Sequence, residues 1–145
     1  MKLTLTFSPM ACSVVPYVAL TEAGATFDTL PVNLSKHEHH EPSYLKGKVP
    51  ALIIDGYPLT ENTAIQIWIA NQFPQANLLP KDPLEFAKAI SIMSWCAAGI
   101  HPKLTHQARP ERYCDLPESA ASVQALGSHS LFEMLEIADS MLVNR

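Results

Sequence analysis

The first half of the chain contains hydrophobic patterns typical of strands and of helices, and the order of these patterns restricts the fold more than any other feature of the sequence. Apolar and polar residues alternate over 3–7, which is the period of a β-strand. Apolar residues then recur at helical spacing from Val14 until Gly24, and a second strand is predicted at 27–32. Because a helix separates the two strands, we expect them to pair in parallel through a right-handed crossover.

A β-hairpin is predicted farther along, at 49–59. Asp55 and Gly56 form a dipeptide that favours the turn matching the twist of paired strands. Thr60 is expected to cap the helix that follows. The order is therefore βαβ, a polar excursion, and then ββα, which predicts an α/β domain.

A proline-containing stretch without periodicity, 74–82, is interpreted as a linker. It separates a predicted first domain at 1–73 from a second domain at 83–145. The hydrophobic pattern of the second domain is helical throughout, so we predict that it is all-α.

The first helix of the second domain carries a capping signature. Asp82 stands at the cap, Pro83 at the first helical position and Glu85 three residues after the cap. We expect this helix to end near Ile100, because Pro102 cannot donate a backbone hydrogen bond.

Composition excludes several classes of function. The chain has 10 Lys and Arg against 14 Asp and Glu, a formal charge of −4, and no basic stripe, so nucleic acid is not an expected partner. No apolar stretch approaches the length of a membrane span, and no apolar leader begins the chain. We therefore expect a cytoplasmic protein with no membrane partner.

The spacing of the three cysteines is not typical of a disulfide-bonded protein or of a zinc site. Cys12, Cys96 and Cys114 are an odd number without C-x-x-C spacing, which argues against both disulfides and a structural zinc site. Cys96 and Cys114 are interpreted as structural. We expect no metal, because His37 and its neighbours His39 and His40 lie in a polar loop typical of a solvated segment.

Cys12 is the candidate reactive centre. It lies where the first strand ends and the first helix begins, and the positive end of a helix favours a thiolate. The alternative is that Cys12 is a small buried hydrophobe, the most common role of a lone cysteine.

Three motifs carry a resemblance to a known family. Residues 46–52 and 59–65 read KGKVPAL and LTENTAI, and they resemble the glutathione-binding signature of the cytosolic glutathione S-transferases. Residues 9–16 read PMACSVVP and resemble the cysteine motif of the bacterial beta class. The resemblance implies a thioredoxin-like N-terminal domain (βαβ-ββα) followed by an all-α C-terminal domain that is shorter than usual.

The resemblance also implies where glutathione binds. Pro50 would be cis, which turns the backbone of Val49 outward to pair with the cysteinyl part of glutathione. Lys36 or His37 would supply a cation near the glycyl carboxylate. The Glu61 carboxylate would accept from the γ-glutamyl ammonium, while Asn62, where the family usually has Ser or Gly, and the helix N-terminus would donate to its carboxylate.

The catalytic residues implied by the resemblance are Cys12, Ser13 and His101. Cys12 would face the glutathione sulfur, with Ser13 and Ser8 as alternative hydrogen-bond donors. His101 matches a position where beta-class members carry a histidine facing the active site. A structural role at a helix end is the open alternative for His101.

The resemblance implies a glutathione transferase that uses glutathione as substrate. It would act on small hydrophobic electrophiles or exchange thiols and disulfides through Cys12. The alternative is a non-catalytic regulatory protein on the same scaffold, similar to bacterial stress proteins that bind RNA polymerase. Family members continue past Arg145 with a further central helix. We expect the helix faces that this helix would cover to seek a partner. The two expectations are that the chain forms a homodimer or that it is a shortened form of a longer protein.

Overall fold

The computed structural model describes residues 1–34 and 49–143. The chain divides into two compact units, Met1–Ala89 and Ile90–Arg145. The division falls inside a helix, so the predicted linker at 74–82 and the domain limits on either side of it stay a prediction.

The first unit is built on a four-stranded mixed sheet in the order β2-β1-β3-β4. Its strands are β1 at Leu3–Phe7, β2 at Asp28–Pro31, β3 at Ala51–Ile54 and β4 at Tyr57–Thr60. Strand β1 pairs in parallel with β2 and antiparallel with β3, and β3 pairs antiparallel with β4. The parallel pair is the one predicted from the intervening helix.

The hairpin between β3 and β4 is confirmed. Asp55 and Gly56 both have positive φ angles, 48° and 93°, as the tight turn between Ile54 and Tyr57 requires. The backbone N–H of Lys2 donates to the Asp55 carboxylate at 2.7 Å, which ties the turn to the start of β1.

Two helices pack on this sheet and complete its core. Helix α1 covers Val14–Glu22 and α2 covers Asn62–Gln72. The leucine and isoleucine residues with no solvent-accessible surface come from both helices and from the two central strands: Leu5, Leu20, Leu52, Ile65 and Ile69. Burial of each such side chain stabilises the fold by about 1.5–3 kcal/mol. The core therefore fixes the two helix starts relative to the sheet.

The predicted cap at Thr60 is wrong. Thr60 still pairs with Ala51 in the sheet, so the chain leaves the strand one residue later. Glu61 stands at the cap position with φ 71° and ψ 121°, and its side chain makes no capping hydrogen bond. The sheet pairing, rather than the capping preference of threonine, sets the start of α2.

After α2, the elements of the described chain are all helices or helical turns. Helix α3 spans Pro83–Trp95, a π turn spans Cys96–Ile100, α4 spans His101–Ala108 and α5 spans Ala120–Leu142. Single 3₁₀ turns lie at Pro74–Ala76, Pro110–Arg112 and Pro117–Ser119. The mixed sheet and the helical second part confirm the predicted fold class. No helix in the described part of the chain is both long and apolar enough to span a membrane.

The cap predicted for α3 is confirmed. The Asp82 carboxylate accepts from the N–H groups of Leu84 and Glu85, both at 3.0 Å. Pro83 follows as the first helical residue, where its missing N–H costs nothing.

The predicted end of this helix near Ile100 is wrong. The N–H of His101 bonds to the carbonyl of Cys96, five residues back, so the chain makes one wide turn and continues as α4. Pro102 then takes the second position of α4. The wide turn lets the helix accept the proline instead of ending at it.

Helices α4 and α5 cross closely in the second unit. Gly127 of α5 is buried, and a Cβ atom there would lie 2.6 Å from the Cβ of His106 and 3.2 Å from the carbonyl oxygen of Lys103. The Gln124 amide also donates to the carbonyl of Gln107 at 3.0 Å. The absence of a side chain at Gly127 is what permits this crossing.

Candidate functional site

The loop that carries Cys12 joins the end of β1 to the start of α1. The Ser13 hydroxyl donates to the carbonyl of Ser8 and accepts from its N–H, both at 3.0 Å, and the Ser13 side chain is completely buried. Met10 has a positive φ of 61° and a side chain that is 99% exposed. Ser8 and Ser13 therefore close the loop, and a catalytic role for either hydroxyl stays a prediction.

Cys12 lies two residues before α1 and is half-buried. Its sulfur is 3.2 Å from the carbonyl oxygen of Val49, to which the S–H donates. The N–H groups of Val14 and Val15 bond to the carbonyls of Ala11 and Cys12 at 3.1 and 3.3 Å. Two N–H groups at the helix start are thus used by the turn itself, and the S–H of Cys12 is directed to the Val49 carbonyl.

The strand entry at Val49 and Pro50 faces this loop. The Val49–Pro50 peptide bond is cis, as expected, and Pro50 is buried. Thr6 of β1 fixes the next residue, because its hydroxyl accepts from the N–H of Ala51 at 2.7 Å and donates to the Ala51 carbonyl at 3.1 Å. The position of the Val49 carbonyl therefore depends on a side chain in the central strand.

The start of α2 also contacts the loop that carries Cys12, which is called the cysteine loop below. The Asn62 carboxamide nitrogen donates to the carbonyl of Cys12 at 3.0 Å. The carboxamide oxygen of Asn62 is buried and accepts no hydrogen bond from the described residues. Glu61 precedes it, exposed and with a positive φ. The structure thus brings Cys12, Val49, Pro50 and Asn62 together, with Glu61 adjacent in the chain.

For three further predicted site residues the role stays a prediction. Lys36 and His37 lie outside the described residues. His101 is exposed at the start of α4, in the second compact unit, and its role stays a prediction. Across 1–34 and 49–143, no three His, Cys, Asp or Glu side chains are grouped so as to hold a metal ion.

Two features of the site were not predicted from the sequence. Thr6 was assigned to the polar face of its strand, yet it is only 3% exposed and bonds to the neighbouring strand. The Asn62 contact with Cys12 joins residues 50 positions apart, so local sequence carries no signal for it.

Cys114 belongs to the second unit, where its thiol has hydrogen-bond partners of its own. A hydrogen bond from the Ser119 side chain and one from the Leu116 backbone lower the pKa of the Cys114 thiol. The Ser119 hydroxyl has a single proton, and in this structure it donates it to the Leu116 carbonyl at 2.7 Å. That proton must turn toward sulfur when the thiolate forms. None of the three cysteines, all within the described ranges, is in a disulfide.

A βαβ unit followed by a ββα unit, with a cysteine at the first helix and a cis-proline at the third strand, defines a thioredoxin-like domain. Residues 1–71 match the family described as "Glutathione S-transferase, N-terminal domain". A beta-class glutathione S-transferase from Sphingomonas chungbukensis is 34% identical, with a TM-score of 0.80, over 98% of this chain and 71% of that one. The chain therefore belongs to the glutathione S-transferase family.

Two further relatives extend the comparison. A glutathione transferase homologue from Sulfitobacter, solved with bound glutathione, has a TM-score of 0.91 and 30% identity over 96% of this chain and 69% of that one. A maleylacetoacetate isomerase from Pseudomonas aeruginosa is 37% identical over 92 residues, which are 59% of this chain and 43% of that protein. The chain spans about half the length of the curated relatives it matches, 43% and 57% for two of them.

Proposed function

We propose that the protein is a glutathione transferase that binds glutathione at the first unit and uses the Cys12 region for chemistry. The cysteinyl part would pair with the backbone of Val49, and the γ-glutamyl end would lie at the start of α2, at Glu61 and Asn62. A positively charged side chain, Lys36 or His37, would face the glycyl carboxylate. The proposal assigns glutathione binding to 1–73, the linker to 74–82 and part of the electrophile pocket, with His101, to 83–145.

The observation that supports this proposal is that three segments distant in the sequence meet at Cys12. The Cys12 sulfur lies 3.2 Å from the Val49 carbonyl, while the Cys12 backbone accepts from Asn62 at 3.0 Å. A peptide that pairs with the backbone of Val49 would therefore place its own thiol beside Cys12. Glutathione carries a thiol at its central residue, as this arrangement requires.

The first proposed reaction is thiol–disulfide exchange between Cys12 and glutathione disulfide. The Cys12 thiolate would attack one sulfur of glutathione disulfide, forming a Cys12–glutathione mixed disulfide and releasing one glutathione thiolate, which takes a proton from solvent. The Cys12 proton, which the Val49 carbonyl holds in this structure, must leave first. With one cysteine in the loop, a second glutathione would be needed to resolve the mixed disulfide.

Conjugation would use the same binding site with a different nucleophile. The glutathione sulfur would attack an electrophilic carbon, forming a C–S bond as the leaving group departs and the thiol proton passes to solvent. Cys12 would then donate to, or accept from, the glutathione sulfur without forming a bond to carbon.

One experiment tests these assignments. Glutathione binding is measured by calorimetry, and conjugation with chlorodinitrobenzene and reduction of a glutathionyl disulfide are measured for the native chain and Cys12→Ala. We expect binding by both proteins and loss of disulfide reduction in Cys12→Ala. Unchanged conjugation in Cys12→Ala would give that reaction to another donor, Ser13 or Ser8. Absence of glutathione binding by the native chain would refute the proposal and favour the regulatory alternative.

A second candidate activity is isomerisation of a carbon–carbon double bond. It is supported by the relatives named maleylacetoacetate isomerase, one of which is 37% identical. A glutathione thiolate would add to the double bond, the resulting single bond would rotate, and the thiolate would leave unchanged. Turnover of maleylacetoacetate without consumption of glutathione would distinguish this activity from conjugation.

We also propose that the protein is a homodimer. Leu126, Phe132 and Leu142 of α5 are 64%, 67% and 64% exposed, which is a large apolar surface for one helix. Light scattering should give twice the mass of one chain, and a stable monomer at micromolar concentration would refute the dimer.

A further inference from the structure

We infer that Asn62 is a positioning residue for the reactive cysteine: its carboxamide holds the backbone of Cys12 so that the sulfur stays at the Val49 carbonyl. The inference rests on the proposed function for the identity of the reaction but not for the contact itself. It assigns the Asn62 side chain to the cysteine loop, whereas the family resemblance assigns it to the ligand.

The contact joins the turn that carries Cys12 to the start of α2. Cys12 is in a turn rather than in a helix or strand, and Met10, two residues earlier, has a positive φ and an exposed side chain. Ser13 secures the loop to Ser8. The peptide carbonyl of Cys12 accepts from the N–H of Val15 at 3.3 Å within the turn, and the Asn62 side chain, at 3.0 Å, is the contact that ties it to α2. Asn62 is itself held firmly, since Ile65 and Ile69 of the same helix are entirely buried.

The orientation of the carboxamide follows from hydrogen-bond chemistry. Only the nitrogen of Asn62 can donate to the Cys12 carbonyl, and a flipped amide would set two acceptor oxygens against each other. The Asn62 oxygen is then buried without a partner among the described residues. A buried acceptor in that state offsets what the single hydrogen bond contributes to stability. The bond to Cys12 therefore positions the loop more than it stabilises the fold.

The position of the Cys12 sulfur should determine how fast it reacts with different reagents. The S–H of Cys12 donates to Val49, whose backbone is also the proposed pairing partner of glutathione. If the loop moves, the sulfur loses both the carbonyl that shields its proton and the alignment with a ligand paired there. Small reagents that need no alignment should then react faster, and glutathione disulfide should react more slowly.

The test compares two reagents on the full chain at neutral pH and well below the unfolding temperature. Iodoacetamide forms a C–S bond with Cys12 and releases iodide, and glutathione disulfide forms the mixed disulfide. Peptide mapping by mass spectrometry follows Cys12 separately from Cys96 and Cys114. The variants are Asn62→Ala and Asn62→Leu, of which the second keeps most of the side-chain volume if the first folds poorly.

We expect Cys12 in both variants to react with iodoacetamide roughly two- to tenfold faster, the range for loss of one hydrogen bond, and with glutathione disulfide more slowly by a similar factor. Gln66→Ala is the matched control. It removes another amide one helical turn later on α2, and no hydrogen bond links that amide to the cysteine loop in the described residues. Its two rate constants should match the native ones.

Each other outcome overturns the inference in a different way. Slower reaction with glutathione disulfide and an unchanged iodoacetamide rate would make Asn62 a direct ligand contact. A lower unfolding temperature with both rates unchanged would make it merely structural. If the native chain does not react with glutathione disulfide at all, the proposed function fails, while the iodoacetamide rates still decide the role of Asn62.

Discussion

Replacement of Thr6 by valine tests how the central strand fixes the strand entry of the site. Thr6→Val exchanges a hydroxyl for a methyl group of similar size and leaves strand propensity intact. The buried N–H and carbonyl of Ala51, which bond to that hydroxyl at 2.7 and 3.1 Å, then lose their partner. Each unpaired buried group costs about 1–3 kcal/mol.

We expect Thr6→Val to lower the free energy of unfolding by about 2–3 kcal/mol. This is near the lower end of the cost of two unpaired groups, because the end of the strand can relax. Urea denaturation followed by tryptophan fluorescence and by circular dichroism measures it. The matched control is Thr4→Val, the same exchange two residues earlier on the same strand face. The Thr4 hydroxyl makes no hydrogen bond within the described residues, so its change should be within about 0.5 kcal/mol.

Thr6→Val should also weaken glutathione binding in calorimetry, since Ala51 follows the Val49–Pro50 pair directly, while Thr4→Val should not. Equal stabilities for the two variants would refute the reasoning. Such a result would mean that the Thr6 hydroxyl is not the partner that Ala51 depends on.

Three further predictions concern the helices. Gly127→Ala should lower the free energy of unfolding by about 1–3 kcal/mol, because the new Cβ would lie 2.6 Å from the Cβ of His106, and an unchanged denaturation midpoint would contradict this contact. Asp82→Ala should cost about 1 kcal/mol in thermal unfolding through loss of the α3 cap, whereas Asp82→Asn should retain most of it. Ser119→Ala should move the pH dependence of Cys114 alkylation to higher pH. The reason is that the hydrogen bond from Ser119 lowers the pKa of the Cys114 thiol, so the thiolate forms at lower pH when the bond is present. An unchanged pH dependence would exclude Ser119 as the cause.

Local signals in the sequence predicted most of the fold. The turn at Asp55 and Gly56 and the cap at Asp82 were predicted correctly because each depends on a few adjacent residues. Thr60 failed as a cap because its pairing with Ala51, nine residues earlier in the hairpin, outweighed its own preference. The sequence therefore predicts the presence of helices and strands better than it predicts the residues at which they begin and end.

For the candidate site, the sequence predicted which residues lie close together better than it predicted the contacts between them. Motif spacing identified Cys12, Val49 and Asn62, and the structure brings all three together. The particular hydrogen bond from Asn62 to the Cys12 backbone depends on how closely α2 approaches the loop, which the packing of the whole core determines. Thr6 was missed for the same reason, since alternation along β1 gives no sign that the polar face is also covered.

The wide turn at Cys96–Ile100 is where we expect relatives to differ by one residue in the length of this helix. A π turn holds one residue more than an α turn, so an insertion confined to it leaves the residues on either side facing as before. Pro102 then makes the extra residue hard to lose, because a continuous α-helix would bring its ring against the carbonyl four residues back. Relatives that are one residue shorter in this helix should therefore have their gap within the turn and lack a proline at the position of Pro102.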